Sequence, residues 1–306
     1  MRITTQNEHP IDVFGASVRG ADNPETQDRF AIASLTKTAR LHSNNLEQTE
    51  APRLEGPEQG HLVLLADGLE RANAPAEASS LAAESAFRFV LDDMPWMHLA
   101  SGNPSDVTLA LEDTLQHVQE ELLHVPASGD HAPAAKLAIA LIVWPNLYLA
   151  SVGGSHVHLQ RQGELRRLAP DADRERNETA MVGGSSAAVR AEIAHVHLRP
   201  GDDLALLTAN AKPEDFETLA ALLRRPGPAE AICRYLLEER RADDRTAIVL
   251  RFARDVAGPV GARRTVPAPQ LGARGERPPT RSRIGSDLVS PRGAERDRRR
   301  IAAVAL

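Results

Sequence analysis

The amino-acid sequence predicts an α+β fold. Two antiparallel sheets pack face to face and helix pairs cover their outer faces, an α-β-β-α sandwich. Three observations lead to it. Apolar runs of strand length are joined by tight turns, Trp144–Pro145–Asn146 and Gln162–Gly163 among them, and such hairpins build antiparallel sheets. Segments with helical spacing come in two pairs, one on each side of the hairpin run. A single strand follows the second pair, so strands and helices do not alternate as a parallel sheet requires.

Taken in order, Ile11–Arg19 and Phe30–Leu35 read as short strands. Residues 36–60 are polar and contain Pro52 and Pro57, so they read as a long loop inserted between strands. His61–Ala66, HLVLLA, is an apolar run of strand length that stops at the turn dipeptide Asp67–Gly68. Ala76–Leu91 reads as a helix with Ala78, Ala82, Ala86, Phe89 and Val90 on one side, and Pro95 ends it. From about Ser105 to His124 a second helix has Val107, Leu111, Leu115, Val118 and Leu122 at spacings of 4, 4, 3 and 4. Asn103 or Ser105 is available as its cap. Leu137–Val143 and Leu147–Val152 form one hairpin, Ser155–Arg161 and Glu164–Leu168 another, and Ile193–Leu198 and Leu204–Thr208 flank the turn Arg199–Asp202. Helices at Pro213–Leu223 and Pro228–Arg240 each open on a proline followed by an acid, which suits the positive end of a helix. Thr246–Phe252 is the closing strand.

Composition excludes several classes. Aromatics are 3% of the 306 residues, so the core is built of Leu, Val, Ile and Ala. One cysteine, Cys233, rules out a disulfide framework and a cysteine-rich zinc module, and its helical setting makes it a small core residue. The net charge of −6 hides two opposed halves. Residues 251–306 carry 13 arginines against 5 acids, while residues 1–250 carry 23 basic against 37 acidic residues. The acidic body argues against nucleic acid as a partner. No apolar run approaches the roughly 18 residues that span a bilayer, and the first ten residues hold no apolar leader core, so the reading is a cytoplasmic protein. Residues 1–254 form the folded domain. Residues 255–306, rich in Pro, Gly and Arg without an apolar period, read as a disordered tail.

Candidate site residues cluster at strand ends. Asp67 with Gly68 follows the most apolar strand, Asp28 precedes another, and Asp243–Asp244 precede the last. Acids at the ends of three strands in a layered sandwich suggest one oxygen-rich site for Mg²⁺ or Mn²⁺. Two His-x-His runs, His156/His158 and His195/His197, place each pair on one strand face where zinc could bind. Histidine alternating with valine on a half-exposed strand is ordinarily structural, and no third ligand type clusters with either pair.

The order of motifs is more specific than any one of them. It runs Asn23-Pro-Glu-Thr-Gln-Asp28-Arg-Phe, then Leu65-Ala-Asp67-Gly68-Leu69 followed by Ala76-Glu77-Ala78-Ser79. Next come Leu147-Tyr-Leu-Ala-Ser-Val-Gly153-Gly154-Ser155-His156 and Gln162-Gly-Glu-Leu. Arg199-Pro-Gly201-Asp202-Asp-Leu-Ala-Leu-Leu-Thr208 and Asp243-Asp-Arg-Thr246 complete it. Over roughly residues 11–252 this series resembles the PP2C (PPM) family of metal-dependent Ser/Thr protein phosphatases. The resemblance implies two metal ions bracketing a water that attacks a phosphomonoester. Asp67 would bridge them, the Gly68 carbonyl would touch one, Asp243 would be the last-strand ligand and Asp28 would hold metal-bound water. It also implies a phosphoprotein or protein kinase partner. The departures fall on the chemistry. Ala209 and Gly154 stand where the family has metal-linked aspartates. Asn23 stands at the phosphate-clamping arginine, with Arg19 four residues out of register. Gln27 replaces a glutamate, and Glu70 and Arg71 replace glycines. The expectation is an incomplete metal site with Mg²⁺ or Mn²⁺ weakly or partly bound, and little or no turnover, unless Asn210, Asp202 or Glu70 supplies the missing ligand. The alternative is a pseudophosphatase that binds a phosphoprotein or another partner. In the tail, Thr280 and Ser282 are flanked by arginines and Ser290 precedes Pro291. That segment is either a solubilising extension or a tethered pseudosubstrate for the acidic cleft.

Overall fold

A computed structural model describes residues 2–3, 11–40, 53–69, 74–94, 103–126, 132–168, 180–184, 189, 191–208, 210–239 and 241–253. The chain divides into residues 1–257 and 258–306, and the second unit, with the expected tail, lies outside the described residues. Ala209, Glu70 and Arg71 lie outside them as well.

Twelve strands and four helices are found among the described residues. The strands are β1 (Arg2–Ile3), β2 (Ile11–Val18), β3 (Asp28–Arg40), β4 (Arg53–Gly68), β5 (Ala134–Val143) and β6 (Asn146–Val152). They continue as β7 (His156–Arg161), β8 (Glu164–Arg167), β9 (Val182–Gly183), β10 (Glu192–His197), β11 (Asp203–Leu207) and β12 (Arg245–Phe252). The helices are α1 (Pro75–Asp92), α2 (Pro104–His124), α3 (Pro213–Leu223) and α4 (Ala229–Leu236). Asn103 caps α2 by accepting from the Ser105 amide. One sheet runs β1-β2-β12-β11-β7-β8 and the other β10-β6-β5-β4-β3, with β9 added to β5. Every pairing is antiparallel.

Strand alternation sorts the apolar residues into three layers. Leu62, Leu64 and Ala66 of β4 face outward with Leu137 and Ile139 of β5, under Ala82, Ala86, Leu111 and Leu115 of α1 and α2. Val63 and Leu65 face inward and meet Val157, Leu206, Ile248 and Leu250 of the other sheet. The outer face of that second sheet, Ala205, Ala247 and Val249, is covered by Leu219, Leu223 and Ile232 of α3 and α4. Cys233 is buried in this last layer, its thiol donating to the Phe14 carbonyl at 3.4 Å, and burial pushes the thiol up to about 12. The result is the expected α-β-β-α order.

Three expectations change. The polar segment 36–60 is not simply a loop: Thr36–Arg40 and Arg53–Glu58 continue β3 and β4 as a hairpin. Its ladder is made by backbone groups, so no apolar alternation marks it in the sequence. Pro57 falls where the register slips between the Thr36–Glu58 and Thr38–Glu55 pairs, a place where its missing N–H costs nothing. Residues 41–52 lie outside the described residues. The turn Arg199–Asp202 does not close a hairpin. It carries the chain from β10, paired with β6, to β11, paired with β7 and β12 in the other sheet. Helix α4 stops at Leu236 rather than Arg240, because the Arg245 guanidinium takes the carbonyls of Leu236 and Glu239 and pulls the chain off the helix axis. Among the described residues no helix is long and apolar enough to cross a membrane.

Candidate functional site

The site follows from counting along the strands. In β4, Val63 and Leu65 point between the sheets, so Asp67 does too. Its ladder partner on β3 is Asp28 and its partner on β5 is Lys136, which places an acid, an acid and a lysine in one row on the inner face. From the opposite sheet the same parity brings in Ser17, Thr208 and Thr246, which extend the inward series Ile248 and Leu250 of β12. The apolar filling between the sheets therefore gives way at one end to hydroxyls and carboxylates.

Hydrogen bonds close this end tightly. Asp28 is buried, and its Oδ2 accepts the Thr246 hydroxyl at 2.7 Å. Ser17 and Thr246 hydroxyls are 2.7 Å apart, and the Thr246 amide donates to Thr208 Oγ1 at 3.2 Å. Burial, the neighbouring Asp67 and Asp244 carboxylates and a hydrogen bond shared with Asp67 push the Asp28 carboxyl up to about 8, against a smaller lowering by Thr246.

The last-strand pair divides its roles. Asp244 is buried, and its Oδ1 accepts the Gly20 amide at 2.6 Å while Oδ2 accepts the Gln27 amide. Asp244 thereby pins both ends of the loop that leads into Asp28. Asp243, the residue singled out in the sequence, stands exposed one position earlier. Asn210 is committed too: its amide donates to the Asp244 carbonyl and its oxygen accepts from Thr208 Oγ1 at 3.0 Å. Asp202 lies beyond the far end of β11 and is tied to Arg161, so it supplies nothing here.

Gly68 is required by packing. A Cβ there would meet the Pro75 carbonyl oxygen at 2.0 Å, so only glycine lets the start of α1 sit against the end of β4. Gly153 has φ +93°, and a Cβ on it would strike Lys136 Cγ at 2.4 Å. The lysine stem fills that space, and Gly154 beside it, φ +75°, is also buried. At the loop, Arg19 Nη1 donates to the Asn23 carbonyl at 2.6 Å, so a guanidinium reaches the backbone of the position where the sequence lacks one. Arg29 Nε donates to Ser80 Oγ at 2.9 Å and ties the same loop to α1.

The two histidine pairs go elsewhere. His156 and His158 both pack on Phe216 of α3 with ring centroids 4.7 Å away. His158 is held down to about 4 by burial, by His156 and by Arg167. His195 stacks on Tyr148 at 4.8 Å and meets Asn146 Oδ1 at 3.0 Å on an edge strand. Among the described residues no group of three or more His, Cys, Asp or Glu side chains is placed to hold a metal ion.

No protein-family model matches the chain, and no curated protein matches it in sequence. Solved structures do match. A bacterial serine phosphatase aligns with a TM-score of 0.59 at 14% identity, covering 80% of this chain and 99% of that one. The catalytic domain of the serine/threonine protein phosphatase PstP, solved with two manganese ions, aligns at 0.54 with 17% identity, covering 80% and 99%. PppA, described as a key regulatory component of T6SS in Pseudomonas aeruginosa, aligns at 0.54 with 23% identity, covering 79% and 97%. The fold is that of the PP2C-type serine/threonine phosphatases.

The PP2C fold implies a pair of divalent cations. Asp28 and Asp67 meet on the inner face where one could be held, whereas both oxygens of Asp244 are taken by backbone amides, Asp243 is exposed, and Lys136 shares the Asp67 row. Lys136 and the hydroxyl trio were not singled out in the sequence, and of the pair Asp243–Asp244 the inward member was not told apart. Parity would have found them: Lys136 is two residues before the inward Ala138, and Asp244 and Thr246 are four and two before the inward Ile248.

Proposed function

We propose that this chain is a PP2C-type Ser/Thr phosphatase homologue with an incomplete metal site and little or no turnover. It acts by binding a phosphoprotein or a protein kinase partner in Ser/Thr kinase signalling. The observation that carries the reading is the commitment of both Asp244 oxygens to backbone amides, with Lys136 in the Asp67 row. A dication centre needs several ionised oxygens free to face the ion. Here both oxygens of Asp244 face backbone amides, Asp243 is exposed, and Lys136, on the same face, disfavours a second positive charge beside Asp67. At most one Mg²⁺ or Mn²⁺ is held, and weakly. Substrate positioning is also reduced. Asn23 offers no bidentate grip on a phosphoryl group, and the Arg19 guanidinium spends one of its nitrogens on the loop backbone.

What the residues still do is structural. Thr246 orients Asp28, Asp244 fastens the loop before it, and the row of Asp28, Asp67 and Lys136 presents a fixed polar floor between the sheets. The test is hydrolysis of p-nitrophenyl phosphate with Mn²⁺ by the full chain beside Asp67→Asn. Equal rates near background support the reading. Robust turnover that Asp67→Asn abolishes overturns it.

A further inference from the structure

The opposite end of the sandwich carries a second set of charges that the carboxylate site does not use. Strand β12 runs from Arg245 at the carboxylate end to Phe252, about 23 Å away at about 3.3 Å per residue. There two adjoining clefts of about 380 and 440 Å³ share Gly201, Asp203 and Arg224. Arginines dominate their walls: Arg161 and Arg199 in the first, Arg225 and Arg251 in the second, and Arg224 between them.

Two of the three acids at this end, Asp202 and Asp203, are already neutralised by arginines. Asp202 is buried and accepts Arg161 Nε at 2.9 Å, Arg161 Nη2 at 2.7 Å and the Arg199 amide at 2.8 Å. Asp203 is buried and accepts Arg251 Nε at 2.9 Å, and Arg251 also holds the carbonyls of Leu223, Arg225 and Gly227. Asp12 accepts the Ala229 amide at the start of α4. These bonds build rigid walls and consume two of the five guanidinium charges. The other three, on Arg199, Arg224 and Arg225, are exposed, and no carboxylate among the described residues pairs with them. Arg224 is aimed by its Nε, which donates to the Gly163 carbonyl at 3.0 Å and leaves its terminal nitrogens to the cleft. Beneath the first cleft Gln160 is 4% exposed, and neither atom of its side-chain amide has a hydrogen-bond partner. A ligand oxygen, or a water held under a ligand, would satisfy it. This positive end belongs to a body in which residues 1–250 carry 23 basic against 37 acidic residues, so it is a local exception rather than a general surface property.

We propose that this arginine-walled cleft is a binding site for the phosphomonoester group of a phosphorylated peptide. The exposed guanidiniums of Arg199 and Arg224 on the first cleft, with Arg225 on the adjoining one, suit a dianion with several acceptor oxygens, where lysines would offer only point charges. The site lies at the far end of the strands from Asp28 and Asp67, so it stands whether or not those residues support turnover.

The experiment is calorimetric titration of the full chain with three probes: a short neutral peptide carrying one phosphoserine, its unphosphorylated form, and inorganic phosphate. The phosphopeptide is expected to bind, the unphosphorylated peptide not to bind, and inorganic phosphate to bind more weakly. Arg199→Ala with Arg224→Ala should weaken the phosphopeptide about tenfold or more. Arg199→Glu with Arg224→Glu should abolish binding, and Asp67→Asn should leave it unchanged. Salt raised from about 50 to about 500 mM should weaken it further. Binding that survives the glutamate pair, or is equal for both peptides, overturns the proposal. Loss of binding in Asp67→Asn overturns it as well and moves the phosphate to the carboxylate end. Inorganic phosphate binding as tightly as the phosphopeptide removes the peptide from the assignment.

Discussion

Asp28 and Asp67 face each other directly across β3 and β4 and share a hydrogen bond. Two carboxyl groups in that relation cannot both ionise without a cation between them. The pair sits between two sheets, where Thr246 is the neutral donor that holds Asp28 in place.

Stability should depend on pH through Asp28. Its folded value, about 8, lies above the unfolded 3.8. Its contribution is fully present below about pH 4 and is lost as pH rises through about 8, because the unfolded chain sheds a proton that the folded chain keeps. Asp28→Asn keeps a polar partner for Thr246 and removes the charge. It should raise stability at about pH 8 by about 1–3 kcal/mol and flatten this part of the profile. Denaturant melts at about pH 5, 7 and 9 measure it. An unchanged slope in the variant contradicts the raised Asp28 carboxyl.

His158 should act with the opposite sign. Its folded value of about 4 lies below the unfolded 6.5. Its contribution is present above pH 6.5 and is lost as pH falls toward about 4, since a charged imidazole is disfavoured under α3. His158→Phe, packed beside Phe216, should remove the acid side of the profile while sparing the alkaline side.

Metal affinity should respond to Lys136. Mn²⁺ titration of the full chain should reveal at most one weak site. Lys136→Thr should tighten it by removing a positive charge from the Asp67 row. Two tight sites in the unsubstituted protein, or no change on substitution, contradict the donor reading.

Asp243 and Asp244 should separate by stability. Asp244→Ala leaves the Gly20 and Gln27 amides without their acceptor and should cost about 2–4 kcal/mol. Asp243→Ala, at an exposed position, should stay within about 0.5 kcal/mol. Paired urea melts decide it, and equal losses would show that the division of roles is wrong.

The layer order was legible because its causes are local. Apolar runs in β4, β5, β11 and β12, the spacing in α2 and the prolines opening α3 and α4 are written within a few residues each. So was the chain order of the motifs that places Asp28 and Asp67 at strand ends. The ribbon of residues 36–40 with 53–58 was not legible, because backbone pairing asks nothing of side-chain polarity. Nor was the destination of the turn at Arg199, since a proline-glycine turn looks the same whether it closes a hairpin or crosses between sheets.

The sequence by itself determined which residues are apolar, which strands and helices they form, and which acids stand at the ends of strands. The tertiary structure alone decided which of those acids meet. Asp67 acquires Asp28 and Lys136 as neighbours only through the β3–β4–β5 register. Asp244 rather than Asp243 turns inward because β12 enters its sheet with Thr246 facing the core. Five arginines gather at one end because Arg161, Arg199, Arg224, Arg225 and Arg251, spread over ninety residues, are carried there by separate strand ends and turns. Local propensity acts over a few residues. The charge balance of a site is set by which strands lie side by side, and that is a property of the whole packed chain.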